Sequence, residues 1–261
     1  MSEAIVLDRL VECRRIFNFR DYGGYATPHG RLRERRLFRS AQHFDATPED
    51  LATVAGLGLG AVIDLRGKSE RIAAPCPRPD GFDAEVILIE DETVTQAPHV
   101  EAARGAMDAD QARESMMNTY RTMPFRPVLM ELYTRYFARL ADLDRPTLIH
   151  CLAGKDRTGI AVALLHHLVG VHPDDMMADY LLTNITGNIE ARVAAGGLHI
   201  KAIFGDMTDD GLRALMSVEP RYLQNGFAAM VERYGSIDGY LRDGLGVTPE
   251  QREKIIARLV E

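Results

Sequence analysis

The run from Pro146 to Gly170, PTLIHCLAGKDRTGIAVALLHHLVG, changes character twice and constrains the fold more than any other stretch. Thr147 to Ile149 is a short apolar run with β-branched residues, the pattern of a buried strand. After Cys151 comes a turn of small and polar residues, Leu152, Ala153, Gly154, Lys155 and Asp156, closed by Arg157. From Thr158 the apolar residues Ile160, Val162, Ala163, Leu164, Leu165, Leu168 and Val169 predict a buried helix that stops at Gly170. Strand, tight turn and helix together make an anion cradle. Successive backbone N–H groups of such a turn point inward, and the helix adds its positive end.

A phosphate fits that cradle. Arg157, six positions after Cys151, can fold back and offer a planar fork of donors to two phosphate oxygens. The same field acts on the Cys151 sulfur, because a free thiol with a pKa of about 8.5 is little ionised at neutral pH and needs such help to become a thiolate. The other cysteines lack the spacing: Cys13 and Cys76 have Phe19 and Phe82 at the sixth position. A nucleophilic sulfur beneath a phosphate site points to phosphoryl transfer, with Leu152 to Arg157 binding the phosphate.

The segment His150-Cys151-Leu152-Ala153-Gly154-Lys155-Asp156-Arg157-Thr158-Gly159 resembles the phosphate-binding loop of cysteine-dependent phosphatases. Its Gly-Lys-Asp-Arg-Thr version resembles that of a bacterial branch acting on phosphotyrosine and phosphoinositides. The resemblance extends to Asn18-Phe19-Arg20-Asp21-Tyr22-Gly23-Gly24, Arg39-Ser40, Asp64-Leu65-Arg66, Asp179-Tyr180-Leu181 with Asn184, Tyr234-Gly235-Ser236 and Gly239-Tyr240-Leu241-Arg242. It implies an α/β fold with a central, mostly parallel sheet flanked by helices, and a helical lid or embellishment. It also implies that residues 16–25 lie beside the active site.

On this reading Cys151 attacks phosphorus, Arg157 and the loop amides stabilise the equatorial oxygens, and Thr158 hydrogen-bonds the sulfur when it leaves. Many cysteine phosphatases take the leaving-group proton from an Asp on a separate Trp-Pro-Asp loop, but this chain has no Trp. The resemblance suggests Asp156, inside the cradle, as the acid; Asp91 and Asp64 are reserves. Asp64 is also expected to brace Arg157, and His150 either orients the loop or is simply packed. Lys155 either projects to the mouth, favouring multiply charged substrates such as phosphoinositides, or is a solvated loop lysine. Phosphoserine and phosphothreonine are further candidate substrates.

The chain has 261 residues, enough for a substantial core, and is expected to form one catalytic domain over 1–261, with 185–218 as a candidate lid. A net charge of −7 disfavours nucleic acid as a partner. No stretch reaches the roughly 20 apolar residues of a membrane span, and the start lacks a secretory pattern. The three cysteines, without paired spacing, suit a reducing compartment. These features predict a cytoplasmic protein, although the resembling family includes members exported without an ordinary signal. No cofactor or metal is called for, since His166 and His167 sit on a packed helix without further ligands at metal spacing. Oligomeric state is not encoded in any of these features.

Elsewhere, Thr47-Pro48-Glu49-Asp50 predicts a capped helix to Gly56, Ala61 to Arg66 a strand with charges at its C-terminal end, and residues 85–89 a third core strand. Residues 91–112 read as a loop or surface helix, and Ser115 to Leu140 as helix broken at Pro124 and Pro127. Arg20 and Asp21 suggest a structural ion pair. Arg31, Arg33 and Arg35 suggest either a solvated strand face or a basic rim that draws anions. The C-terminal third predicts helices over Tyr222–Tyr234 and Ser236–Arg242, and one opened by a Thr248-Pro249-Glu250-Gln251 capping box. Two other functions fit a Cys-to-Arg loop: a phosphate-binding regulatory module and arsenate reduction. The first is disfavoured by the joint presence of Cys151, Asp156, Arg157 and Thr158, and the second by the distance of Cys13 and Cys76 in sequence.

Overall fold

The computed structural model of the protein describes residues 9–93, 108–142, 144–190, 193–194 and 207–261. Its strands are Arg20–Asp21 (β1), Ala26–Thr27 (β2), Gly30–Arg31 (β3), Leu37–Ser40 (β4), Ala61–Asp64 (β5), Glu85–Ile87 (β6) and Thr147–His150 (β7). Five of them form one sheet in the order β1-β4-β7-β5-β6. The pairs β4–β7, β7–β5 and β5–β6 are parallel; only β1 runs antiparallel, against β4. The expected mostly parallel α/β sheet is therefore present, with β7 at its centre.

Register explains the layering. Phe38, Leu148 and Val62 stand in one row across β4, β7 and β5, and pack with Val54 of the helix Pro48–Gly56 (α1) on one face of the sheet. The next row, Ile149 and Ile63 beside Arg39, faces the opposite way, into the larger core. That core is closed by the helices Pro127–Asp142 and Asp156–Val169, whose residues Leu132, Tyr136, Ile160 and Leu164 are fully buried. Among the described residues the helices after α1 include Lys68–Ala73 (α2), Ala109–Thr122 (α3), Pro127–Asp142 (α4), Asp156–Val169 (α5), Pro173–Leu181 (α6), Thr183–Thr186 (α7), Asp209–Met216 (α8), Pro220–Tyr234 (α9) and Pro249–Leu259 (α10), with short helical turns at Ile237–Gly239 and Tyr240–Gly244.

Local chemistry sets the helix ends. Thr47 caps α1 with a reciprocal capping box through Asp50, and Thr248 caps α10 in the same way through Gln251, each with proline in the first turn. Gly170 ends α5 in the left-handed conformation, φ 83°. Helix α5 starts at Asp156, two residues earlier than Thr158, so the turn after Cys151 is tighter than the sequence implied. The break at Pro124 and Pro127 is a 3-10 turn over Met123–Phe125 between α3 and α4.

Two sequence expectations fall differently. Arg31, Arg33 and Arg35 precede the N-terminal end of β4, at the end of the sheet away from the cradle; Arg31 donates to Gly24 O, Arg33 pairs with Glu261, and the exposed Arg35 binds Asp21 through its backbone N–H. They therefore form no basic rim at the site. Arg20 pairs with Asp179 rather than Asp21, whose carboxylate instead accepts from the backbone N–H groups of Gly23 and Arg35. Most of the 91–112 segment, and the pieces at Leu198–Ile200 and Ile203–Phe204 of the candidate lid, lie outside the described residues. Among the described residues no helix is long and apolar enough to cross a membrane.

Candidate active site

The C-terminal ends of β4, β7 and β5 place Ser40, His150 and Asp64 side by side, and the chain turns into the cradle at the next residue of β7, Cys151. Ligands of parallel sheets bind at this edge. All of Cys151 to Thr158 is buried except Leu152, which is half-buried.

The direction of the turn's peptides follows from what its carbonyls touch. Leu152 O accepts from Gln42 N–H at 3.1 Å; Gly154 O accepts from Asn18 Nδ2 at 2.8 Å and from Arg39 Nη2 at 2.9 Å. Ala153 O also accepts from Asn18 Nδ2, at 3.4 Å. In a trans peptide the N–H of the next residue points away from that carbonyl, so the amides of Ala153, Gly154 and Lys155 face inward. Gly154 makes this path possible: its φ is +62°, and a Cβ there would lie 2.2 Å from Ser40 O.

Asn18 and Arg39 are themselves held. Asn18, at φ 56°, receives Thr186 Oγ1 on its side-chain oxygen at 2.7 Å and donates its backbone N–H to Thr186 O. Arg39 Nη1 donates to Asp179 Oδ2 at 2.9 Å, and Arg20 Nε to Asp179 Oδ1 at 3.4 Å. Burial alone would raise Asp179, but the two guanidiniums override it and hold the carboxyl at about 2. The motif around Asn18–Gly24 and the Asp179–Asn184 stretch thus meet behind the loop.

Arg157 is braced by Glu70 rather than Asp64. Its Nη1 donates to Glu70 Oε2 at 2.5 Å, and its Nη2 to Glu70 Oε1 at 2.8 Å; Nη1 also reaches Leu65 O and Thr93 Oγ1, each at 3.1 Å. Burial would raise Glu70, yet Arg157 holds it below the usual carboxylate range. Arg157 Nε is buried without a partner. Asp64 instead grips Arg66, at 2.7 Å from Nη2. Burial opposes it, but His150 and this fork keep Asp64 well below its usual range. Glu70 sits at N3 of α2, where it also accepts the Gly67 N–H; the sequence signal was a carboxylate one turn beyond the C-terminal end of a core strand.

His150 is fully buried, stacked on His43 with ring centroids 5.5 Å apart, and burial pushes it down to about 4. It is a neutral, packed ring beside Asp64, with Nε2 to Oδ2 at 3.8 Å. Thr158 Oγ1 is buried without a hydrogen-bond partner, so its expected bond to the Cys151 sulfur is not formed in this state. Lys155 departs further from expectation. It does not project to the mouth: it is fully buried, and Nζ donates to Leu215 O and to Ser217 O (3.2 Å) at the C-terminal end of α8.

Asp156, at N1 of α5, accepts from Tyr120 Oη at 2.9 Å on Oδ1 and lies 3.4 Å from Lys155 Nζ. Tyr120 was not singled out by sequence; only the packing of α3 over the cradle brings it there. The other two cysteines are poor nucleophiles. Burial and Asp50 push Cys13 up to about 12, and burial raises Cys76. A cleft of about 530 Å³ borders the site at Asn18 and Thr186, but it is lined by residues from Leu10 to Phe19, by Glu49, Asp50 and Thr53, and by Ile185, and does not include the cradle.

A model of the tyrosine phosphatase family matches residues 11–261. The triple specificity protein phosphatase PtpB of Mycobacterium tuberculosis is 32% identical over 257 residues, covering 87% of this chain and 91% of that protein. A Cupriavidus necator protein is also 32% identical, over 90% of this chain and 84% of its own length. The tyrosine-protein phosphatase of Nostoc commune is 28% identical over 85% of this chain and 73% of that protein. Among solved structures, P. aeruginosa TpbA aligns with a TM-score of 0.33 and 14% identity, covering 74% of this chain and 96% of that one.

Proposed function

The chain belongs to the tyrosine phosphatase family, and on that premise we propose that it hydrolyses phosphotyrosine through a phosphocysteine formed on Cys151. The observation that carries this reading is the buried turn after Cys151, whose carbonyls are held from outside by Gln42, Asn18 and Arg39, together with the partnerless buried donors Arg157 Nε and Thr158 Oγ1. Buried donors without acceptors are rare, because each forfeits a hydrogen bond with water. A phosphate dianion over Cys151 would satisfy them together.

In this mechanism the sulfur attacks phosphorus while Arg157 and the amides take the equatorial oxygens. Asp156 protonates the leaving oxygen and later takes a proton from the attacking water. Thr158 donates to the departing sulfur. His150 and Asp64 support the loop from behind rather than acting on substrate. No step is assigned to a metal or cofactor.

The words "triple specificity" in the mycobacterial relative's name support a substrate range wider than phosphotyrosine, for which phosphoserine, phosphothreonine and phosphoinositides are our candidates. Lys155, turned to α8, lends that extension no support. We read 1–261 as one catalytic domain with 185–218 as its candidate lid; the described residues Leu215 to Val218 are tied to the loop by Lys155 and to Asn184, which exchanges two hydrogen bonds of 2.8 Å with the Val218 backbone. Three free cysteines suit a reducing compartment such as the cytoplasm.

The test is phosphate release from a phosphotyrosine peptide, a phosphoserine peptide and a soluble phosphoinositide, in chelator, with Cys151→Ser alongside. Turnover abolished by the substitution is expected. Undiminished turnover in Cys151→Ser, or none in the wild type while it still binds vanadate, would overturn the proposal.

A further inference from the structure

The Asp156 carboxyl group is held asymmetrically. Tyr120 Oη donates to Oδ1, and Lys155 Nζ lies closest to the same oxygen; among the described residues Oδ2 takes no hydrogen bond. Tyr120 in turn accepts from Tyr180 Oη at 2.8 Å, so two phenols donate in one direction toward Oδ1. Burial first, and Asp156 beside them, raise both phenols well above their ordinary value, so both keep their protons and remain donors.

Three separate elements converge to build this arrangement. Tyr120 comes from α3, Asp156 from the first turn of α5 and Tyr180 from α6. The two rings meet edge to face, with centroids 6.4 Å apart. Gly159 clears the space: a Cβ there would sit 3.0 Å from the Tyr180 ring. The glycine after Arg157-Thr158 therefore serves the phenol pair as well as the helix.

We propose that Tyr120, backed by Tyr180, is the positioning residue that keeps the transferable proton of Asp156 on Oδ2. The proposal rests on the reading of Asp156 as the general acid. An oxygen already occupied by donors is the poorer site for a proton, so the proton resides on its partner. As the sulfur–phosphorus bond forms and the phosphorus–oxygen bond breaks, the electron pair goes to the leaving oxygen, which takes the proton from Oδ2. The Tyr120 bond then stabilises the new carboxylate. In the second step water attacks phosphorus and gives its proton back to Oδ2, while the phosphorus–sulfur pair returns to the sulfur.

The experiment is rapid-quench measurement of the burst of aryl alcohol release from phenyl phosphate and from p-nitrophenyl phosphate. Tyr120→Phe, Tyr180→Phe and Asp156→Asn are compared with wild type, and folding is checked by vanadate-dependent thermal shift. Phenolate is the stronger base and needs the acid more. Tyr120→Phe is expected to slow the phenyl phosphate burst roughly tenfold and the p-nitrophenyl phosphate burst less than about threefold. Asp156→Asn should show the same bias, larger. If Tyr120→Phe does not fold, Tyr180→Phe decides, with the same bias at smaller amplitude. Equal losses on both substrates in the tyrosine variants, with the bias intact in Asp156→Asn, would overturn the positioning role alone. No bias in Asp156→Asn would overturn the acid assignment beneath it.

Discussion

Glu70 grips Arg157 with both carboxylate oxygens, at 2.5 and 2.8 Å, across the C-terminal edge of the sheet. The pair leaves the guanidinium's Nε as a buried donor without a partner.

Removing the brace should therefore loosen the fork without touching the nucleophile. Glu70→Ala is expected to lower kcat/KM on a phosphotyrosine peptide by roughly ten- to a hundredfold and to weaken vanadate binding, with Glu70→Gln falling between. Steady-state kinetics with vanadate titration checks this. Wild-type values in Glu70→Ala would show that Arg157 is positioned by Leu65 O and Thr93 alone.

Gly154→Ala meets two penalties at once. The left-handed φ costs an L-residue about 1–2 kcal/mol, and the new methyl group would collide with Ser40 O. The loop must shift to relieve the collision, carrying its amides off the phosphate. Activity is expected to drop by more than about a hundredfold, with a lowered Tm by calorimetry. An active, equally stable variant would contradict the loop geometry.

Lys155 is a tie between the loop and α8, so Lys155→Met should act chiefly on stability. Its ammonium satisfies two helix-end carbonyls, and its loss is expected to lower Tm while the ratio of rates on phosphotyrosine peptide and soluble phosphoinositide stays within about twofold. A selective loss on the phosphoinositide would mean that the lysine swings to the substrate.

The stacked His43 and His150 make the fold sensitive to mild acid. Burial holds His150 at about 4 in the folded chain against about 6.5 when unfolded, and His43 is likewise lowered. The unfolded state binds the proton first, so stability is lost as pH falls from about 6.5 and the His150 contribution is fully lost below about 4. For His150 alone the loss is about 3 kcal/mol. Denaturant unfolding at pH 7, 5.5 and 4.5 should show that decline, and His150→Asn should flatten it. An equal slope in the variant would assign the acid sensitivity elsewhere.

The features legible in the order of residues are the local ones. Cys151 through Thr158 could be read as a phosphate cradle because strand, turn and helix are contiguous, and a nest of amides needs only successive residues. The caps at Thr47, Thr248 and Gly170 were legible for the same reason: each is decided within a few residues by one side chain or one permitted φ.

Which charged groups meet depends on how the helices pack. Asp64 ends β5 and Glu70 follows it by six residues, and no local rule says which carboxylate reaches Arg157; the turn of α2 brings Glu70 there and leaves Asp64 to Arg66. Lys155 looked free to reach solvent because sequence does not show that α8 will lay its C-terminal carbonyls against the loop. Tyr120 lies thirty-six positions from Asp156, a separation at which composition and periodicity carry no contact information. Burial makes these pairings specific: a charge or hydroxyl shut away from water must find a partner, and the partner is whichever group the packing of the helices delivers.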